Sequence, residues 1–353
     1  MSSKSLLMDL LNIPSPTYEE KEKCDFLFSW LQRELPDFEL ERLGNNLIAQ
    51  KLMPDKQNLA FVGHSDTVPA FFEPYEKEGL IYGSGASDMQ AGLASMLWFI
   101  KENEEALRQN YSLTIIIYDK EEGTPLHKNG LNELIIANAK KIEGIDIAIV
   151  GEPTNNAIQL GCVGSIHYTL KVHGKAAHSA RPWQGENALY KAQPIIEAFS
   201  KMEKKKQSIF GVDFFDVMTI TESQSTPGRT TVPDLWQANI NYRFSPNHSL
   251  VDAKTHVDQI LKETGVDYEL DCLNAVDAGA VIEHPLLERL ASSFQFEAKQ
   301  AWTDVAQLSS LGICAFNFGP GRQDQAHLPN EYVNVADMVQ YEKLLKNMLL
   351  EAS

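Results

Sequence analysis

The sequence predicts an α/β protein in which a mostly parallel sheet clothed by helices is interrupted by a smaller α+β domain. Three observations carry this. Apolar stretches at residues 60–62, 113–118 and 145–150 each run straight into charged residues. Helical spacing separates them, near residues 92–101 and 131–140, and such alternation implies parallel strands covered by helices. After Cys162 the pattern changes to strand, helix, strand, strand, helix, strand.

Element by element, Thr17-Tyr18-Glu19-Glu20 reads as a capping box, with Thr17 accepting from the backbone and Glu20 reaching back. Cys24, Leu27 and Leu31 then recur at helical spacing, and Phe28 and Trp30 broaden the stripe. In the later region, strands are expected at 165–173, 214–221, 236–244 and 266–270, with helices at 187–202 and 251–264. That order is a split βαβ, ferredoxin-like unit. The expected organisation is a discontinuous main domain, 1–163 and 274–353, with an insert at 164–273. The Lys-rich stretch 201–206 reads as a solvated helix end. No internal repeat or low-complexity tract is visible.

With 43% hydrophobic and 22% charged residues, the 353-residue chain has an ordinary globular composition. A net charge of −17 argues against nucleic acid or an anionic membrane as partner, because both repel an acidic surface. An anionic substrate would need a local basic patch or a bound metal. Leu6-Leu7-Met8 and Leu10-Leu11, broken by Asp9, are too short and charged for a secretory signal, and no run is long enough to span a bilayer. Cys24, Cys162, Cys272 and Cys314 are scattered, as expected of reduced thiols in a cytoplasmic protein.

The chemistry is concentrated behind the strands. Asp119-Lys120-Glu121-Glu122 follows the apolar run 113–118, so adjacent carboxylates arrive at the carboxyl end of a buried strand, where open α/β sheets keep their sites. Neighbouring carboxylates in a partly dry crevice require cations. One Glu could bind metal while the other moves protons. His64 and Asp66 follow 59–62, Asp88 closes a Gly-rich loop, Glu152 follows 147–150, and His327 lies in a late loop. His64, Asp88, Glu122, Glu152 and His327 form a mixed N/O set suited to zinc, and also to cobalt or manganese. Five ligands suit a pair of ions sharing one carboxylate. Asp66, two residues beyond His64, points to the same side and can orient it. Each residue alone has a plain structural reading, such as a turn Asp or a core His. Their order behind successive strands is what singles them out. The Gly-x-Gly at 83–85 is not a dinucleotide loop, since Asp88 stands where the third glycine belongs and repels pyrophosphate.

These residues resemble the M20 family of metallopeptidases and deacylases along nearly the whole chain. The matching segments are Gly63-His64-Ser65-Asp66-Thr67-Val68-Pro69, Gly85-Ala86-Ser87-Asp88-Met89, Glu121-Glu122, Gly151-Glu152-Pro153-Thr154 and His327. The resemblance implies a di-zinc hydrolase domain carrying an inserted ferredoxin-like dimerisation domain. It further implies that His64, Asp88 and Glu152 hold one zinc, that His327, Asp88 and Glu122 hold the other, that Glu121 is the general base and acid, and that Asp66 supports His64. Within the family the likeness is greatest to the desuccinylase branch, in its actinobacterial form. It rests on Gly161-Cys162-Val163-Gly164-Ser165, Ala177-His178-Ser179-Ala180-Arg181-Pro182-Trp183, Trp302-Thr303-Asp304-Val305 and Asn317-Phe318-Gly319-Pro320-Gly321, then Ala326-His327 and Glu331-Tyr332-Val333.

That likeness implies a small N-acyl amino acid substrate, N-succinyl-diaminopimelate first, and a homodimer formed through the insert. His178 would serve the oxyanion, commonly in the partner's site, and Arg243 would grip a substrate carboxylate. The alternation Asn239-Ile240-Asn241-Tyr242-Arg243-Phe244 independently puts Arg243 on a polar strand face. Two positions depart from the family pattern: Gln90 stands where Lys is frequent, and Thr230 lies nearest to where an Asn is usual. The rivals are acetylornithine or another N-acyl amino acid, a dipeptidase or carboxypeptidase activity, and an inactive metal-binding homologue acting as a binding protein. Neither a Gly-x-Ser-x-Gly elbow nor an HExxH motif is present.

Overall fold

Three buried strands set the frame of the first unit. In the computed structural model, which describes residues 2–69, 71–225 and 228–351, Gln57–His64 lies between Tyr111–Tyr118 and Ile147–Val150 and runs parallel to both. Every residue of the two outer strands is buried, as is all of Gln57–His64 beyond its first residue. Burial on both faces explains why these strands read as unbroken apolar runs. Cys314–Asn317 adds a fourth parallel strand beside Ile147–Val150. The flanks are antiparallel: Asn46–Lys51 pairs with Tyr111–Tyr118, Glu39–Leu43 pairs with Asn46–Lys51, and Ile158–Leu160 pairs with Cys314–Asn317. Phe296–Ala298 stands at the far edge of this eight-stranded sheet.

Helix Ala91–Leu107 buries Leu93, Met96, Leu97, Phe99 and Ile100, and helices Ser3–Leu11 and Val335–Lys346 pack on it. A Cβ on Gly92 would collide with the Gly151 carbonyl, so glycine lets the helix start press against the turn that carries Glu152. No helix among the described residues is long and apolar enough to cross a membrane.

Two local expectations are corrected here. Helix Lys21–Glu34 is capped by Glu20 with no side-chain cap bond, so Thr17 is not its N-cap. Glu20 Oε1 accepts from the Tyr18 amide at 2.7 Å, and the Thr17 hydroxyl is drawn to Asp66. The single helix expected over 131–140 is two, Gly130–Ala137 and Ala139–Glu143, broken at Asn138, whose φ of −125° and ψ of 34° leave the helical region.

By contacts the chain forms two compact units: Met1–Gly161 with Val281–Glu297 and Gln307–Ser353, and Cys162–Ala280 with Ala298–Ala306. The second contains a five-stranded antiparallel sheet. In it, strand Gly164–His173 pairs with Leu235–Phe244 on one side and the edge strand Glu269–Val276 on the other. Val212–Ser225 and then Lys205–Ile209 continue outward from Leu235–Phe244. Leaving aside the extra strand Lys205–Ile209, the order is that of a ferredoxin-like fold. Ile166, Leu170, Ile195, Trp236, Ile240, Val257 and Leu261 meet in one core. Fully burying each such side chain contributes about 1.5–3 kcal/mol.

The Lys-rich stretch is a helix end only at Lys201, which caps helix Gln193–Ser200; a strand begins at Lys205. Phe210 and Gly211, at φ 49° and 77°, make a tight turn into the next strand, and positive φ at both central residues matches the twist of a hairpin. The last strand is Glu269–Val276 rather than 266–270. It lies at the sheet edge with a bulge between Cys272 and Asn274 that leaves Leu273 exposed, so its sequence shows no clean alternation. In Ala298–Ala306, Gln300 exchanges two hydrogen bonds with the Phe215 backbone.

Candidate metal centre

The carboxyl ends of the three buried strands converge on one acidic crevice. His64 ends its strand with no exposed surface. Its Nδ1 lies 3.0 Å from the Asp66 carbonyl and 3.4 Å from Asp66 Oδ1. Those acceptors hold the proton on Nδ1 and fix the ring. Nε2 then points at carboxylates, 3.6 Å from Asp88 Oδ1 and 3.9 Å from Glu152 Oε1. It is buried and has no hydrogen-bond partner among the described residues. A dry imidazole nitrogen facing two carboxylates suits a cation ligand, and the donor set fits a borderline ion such as zinc. Donor atoms of His64, Asp88 and Glu122 all lie within 4.8 Å of one another.

His327 supplies the opposite side. It adopts φ 64°, and its Nε2 stands 2.9 Å from Glu122 Oε2 and 3.7 Å from Asp88 Oδ2. The two oxygens of Asp88 therefore face one imidazole each. Glu122 holds the His327 pKa up at about 9 despite partial burial. For His64, burial is the largest influence and opposes the charge, yet Asp66 and Asp88 raise its pKa well above the usual value. Both imidazoles respond to the same excess of negative charge, the field that attracts metal cations.

The loops are pinned by buried carboxylates. Asp66 accepts the Glu121 amide on Oδ1 and the Glu122 amide on Oδ2, both at 3.0 Å, and the Thr17 hydroxyl at 3.1 Å. Lys120, in the left-handed region at φ 56°, turns the chain so that both amides reach it. Burial weighs most on Asp66 and raises its pKa, but His64 and those two amides carry it below the ordinary value. Under the Asp88 loop, Glu331 accepts the Gly85, Ser87 and Asp88 amides at 2.9, 2.7 and 2.8 Å. Burial raises the Glu331 pKa to about 7.

Sequence reasoning assigned no site role to Thr17, Glu331 or Lys23. Thr17 was masked by its helix-cap pattern. Glu331 appeared only inside a motif, and Lys23 sits in an amphipathic helix like any surface lysine although it is 1% exposed.

Two further candidates belong to the second unit. His178 lies in the short strand Ala177–His178, paired with Thr231–Val232, and its Nδ1 accepts from the Ala180 amide at 3.1 Å. The Thr230 carbonyl accepts from Ser179 at 2.8 Å, tying the departing position to the His178 turn. Arg243 Nε donates to Asn241 Oδ1 at 3.3 Å, and the Asn241 amide lies 2.8 Å from His167 Nε2. In the first unit, Gln90 is fully buried beside the crevice, with its amide nitrogen 3.4 Å from the Ser65 carbonyl.

Residues 60–351 match the model of peptidase family M20/M25/M40. The succinyl-diaminopimelate desuccinylase of Corynebacterium glutamicum is 32% identical over 98% of this chain and 95% of its own. Among solved structures, an M20-family metallo-carboxypeptidase from Sulfolobus solfataricus superposes with a TM-score of 0.77 at 18% identity, covering 100% of this chain and 99% of that one. A dinuclear metal-binding M20 peptidase from Bacillus subtilis gives 0.68 at 15% identity, covering 99% and 98%. At these identities the two structural likenesses establish the fold.

Proposed function

The chain belongs to peptidase family M20/M25/M40, and from that premise we propose that it removes the succinyl group from N-succinyl-LL-2,6-diaminopimelate, giving diaminopimelate and succinate. The reaction class is metal-dependent amide hydrolysis. The observation that carries it is the buried, unpartnered His64 Nε2 facing Asp88 and Glu152. The substrate rests on the full-length likeness to the corynebacterial desuccinylase.

In this reading His64, Asp88 and Glu152 would hold one zinc ion and His327, Asp88 and Glu122 a second; cobalt or manganese also suits the donors. Bound there, such cations would supply Lewis-acid polarisation of the amide carbonyl and acidify water. Glu121 takes the proton of the attacking water and delivers it to the leaving amine. Asp66 fixes the Glu121 backbone for both transfers, which supports that assignment. His178 donates to the developing oxyanion. Arg243 forks two hydrogen bonds to a substrate carboxylate, a role its position on the polar sheet face supports.

The same reading makes the protein a cytoplasmic homodimer joined through the second unit. Two features there support a second copy. Lys205–Ile209 covers only residues 212–216 of the long strand, so the outer edge of 217–225 has no strand partner among the described residues. Beside that edge, Ile196, Phe199, Thr219, Ile220 and Trp236 line a groove of about 250 Å³. An open edge beside an apolar groove invites antiparallel pairing.

The test is release of free diaminopimelate from the succinylated substrate by metal-loaded protein, with acetylornithine and a dipeptide panel alongside. Strong preference for the succinylated compound is expected. Cleavage of another member alone overturns the substrate but keeps the chemistry. Metal uptake without any cleavage favours the binding-protein alternative.

A further inference from the structure

We propose that Glu331 is a positioning residue of the metal centre, a buried carboxylate that locks the Asp88 loop to the segment carrying His327. The inference rests on the two-cation reading above and adds a residue that touches neither ion nor substrate.

Glu331 lies four residues beyond His327, at the start of a strand. Its backbone carbonyl accepts the Gly83 amide at 3.1 Å, its amide donates to the Leu328 carbonyl at 3.2 Å, and Tyr332–Asn334 pairs with Leu80–Tyr82. The main chain thus places the His327 segment beside the loop that leads into Asp88. The side chain then turns under that loop. Gly85, at φ 76°, opens the turn, and the Gly85, Ser87 and Asp88 amides converge on the two oxygens of Glu331. Consecutive amides arranged this way form an anion nest. Glu331 is only 2% exposed, so water cannot readily replace it, and three buried N–H groups left unpaired would be costly.

The link to the metal centre is the third amide, which is Asp88's own. The two Asp88 oxygens stand 3.6 Å from His64 Nε2 and 3.7 Å from His327 Nε2, so displacement of its backbone shifts the shared ligand relative to both imidazoles. Removing the Glu331 carboxylate also releases the tie between Asp88 and His327. The ion held by His327, Asp88 and Glu122 depends on both ends of that tie, whereas the ion held by His64 and Glu152 depends on one.

The experiment is cobalt titration of chelator-treated wild type, Glu331→Gln and Glu331→Asp, followed by equilibrium dialysis and visible absorption, with circular dichroism of the metal-free proteins. Glutamine presents an NH₂ to backbone donors and leaves at least one of them unpaired. Aspartate keeps the charge but withdraws it by one methylene. Two cobalt equivalents are expected in wild type. In both variants one equivalent should weaken about 10–100-fold, with its absorption band shifted, while the other is held more nearly as in wild type. Wild-type affinities and spectra in the variants overturn the proposal, as does an equal loss at both sites. If Glu331→Gln does not fold, Glu331→Asp decides; if neither folds, the residue supports the fold and the positioning role falls. Two bound ions in a wild type that cleaves no acyl amino acid would sink the functional reading and leave this inference standing. A wild type that binds no cobalt removes both.

Discussion

The two units hold their polar groups in different ways. In the first, His64, Glu121, Glu122 and Glu152 stand just where buried parallel strands end; the Glu121–Glu122 turn is fixed through backbone amides bound to Asp66, and the Asp88 loop through amides bound to Glu331. In the second, His167, Asn241 and Arg243 share the open face of an antiparallel sheet and lean on one another through side chains. A group tied through its main chain to a buried anion has little room to adjust. A group propped by a neighbouring amide can re-aim. The first arrangement suits bond making, where small displacements are costly, and the second suits gripping a substrate that arrives in more than one pose.

That contrast is most exposed to test at Glu121. Glu121→Gln should lower kcat about 10²–10⁴-fold, the usual worth of a placed general acid–base, while both metal equivalents remain bound. Undiminished kcat would put the proton transfer elsewhere and leave the rigid loop without a purpose. On the opposite side of the comparison, Arg243→Lys should act on binding. Loss of a forked, charged hydrogen bond, worth about 1.5–3 kcal/mol, corresponds to roughly 10–100-fold in KM with kcat little changed. If kcat falls instead with KM unchanged, Arg243 acts on the transition state rather than on substrate binding, and the contrast fails at this residue.

The same contrast explains what could be read from the residues alone. Parallel strands buried on both faces announce themselves as apolar runs, so the frame and the positions behind it were legible at 60–62, 113–118 and 145–150. The insert was legible where one face is buried, as in Leu235–Phe244, whose burial alternates along its length. It was not legible at Lys205–Ile209, whose Lys-Lys-Gln-Ser residues pair as an edge strand through backbone bonds that side-chain pattern does not encode. Nor was the anchoring of the loops. Thr17 has a good helix-cap pattern, and only the approach of Asp66, 49 positions away, draws its hydroxyl elsewhere. Glu331 meets Asp88 across 243 positions, a contact that exists only once the strands Tyr332–Asn334 and Leu80–Tyr82 have paired.

A milder perturbation sharpens the picture of the rigid unit. Thr17→Val removes the hydroxyl donor to Asp66 and leaves both Glu amides in place. One such hydrogen bond is worth about 0.5–1.5 kcal/mol, so kcat/KM should fall roughly 2–10-fold and recover in Thr17→Ser. A loss as large as that of Glu121→Gln would mean the Thr17 hydroxyl touches the reaction itself.

The last effect is on stability rather than turnover and concerns Lys23, a buried lysine of the first unit. Burial depresses its pKa to about 7, and Asp66 partly restores it. An unfolded lysine titrates near 10.4, so between pH 7 and about 10 the unfolded chain binds more protons at this position. Linkage then requires stability to rise with pH across that window, by at most about 1.4 kcal/mol per unit, while below pH 7 the penalty of burying the charge is felt in full. His327 works in the other direction in metal-free protein. Its pKa, raised to about 9 by Glu122, means the pair stabilises the fold fully below the unfolded value near 6.5 and loses that contribution as pH climbs through 9. Because the two slopes oppose each other, the wild-type pH profile alone is uninformative, and the difference from Lys23→Met is the quantity to follow. Urea unfolding of both chelator-treated proteins at pH 7, 8 and 9 should show the variant losing the rising component and keeping the falling one. A wild-type-minus-variant difference that stays flat over those three points would mean the lysine keeps its ordinary pKa in the fold, and with it that the packing beneath Asp66 is wetter than the burial of Lys23 indicates.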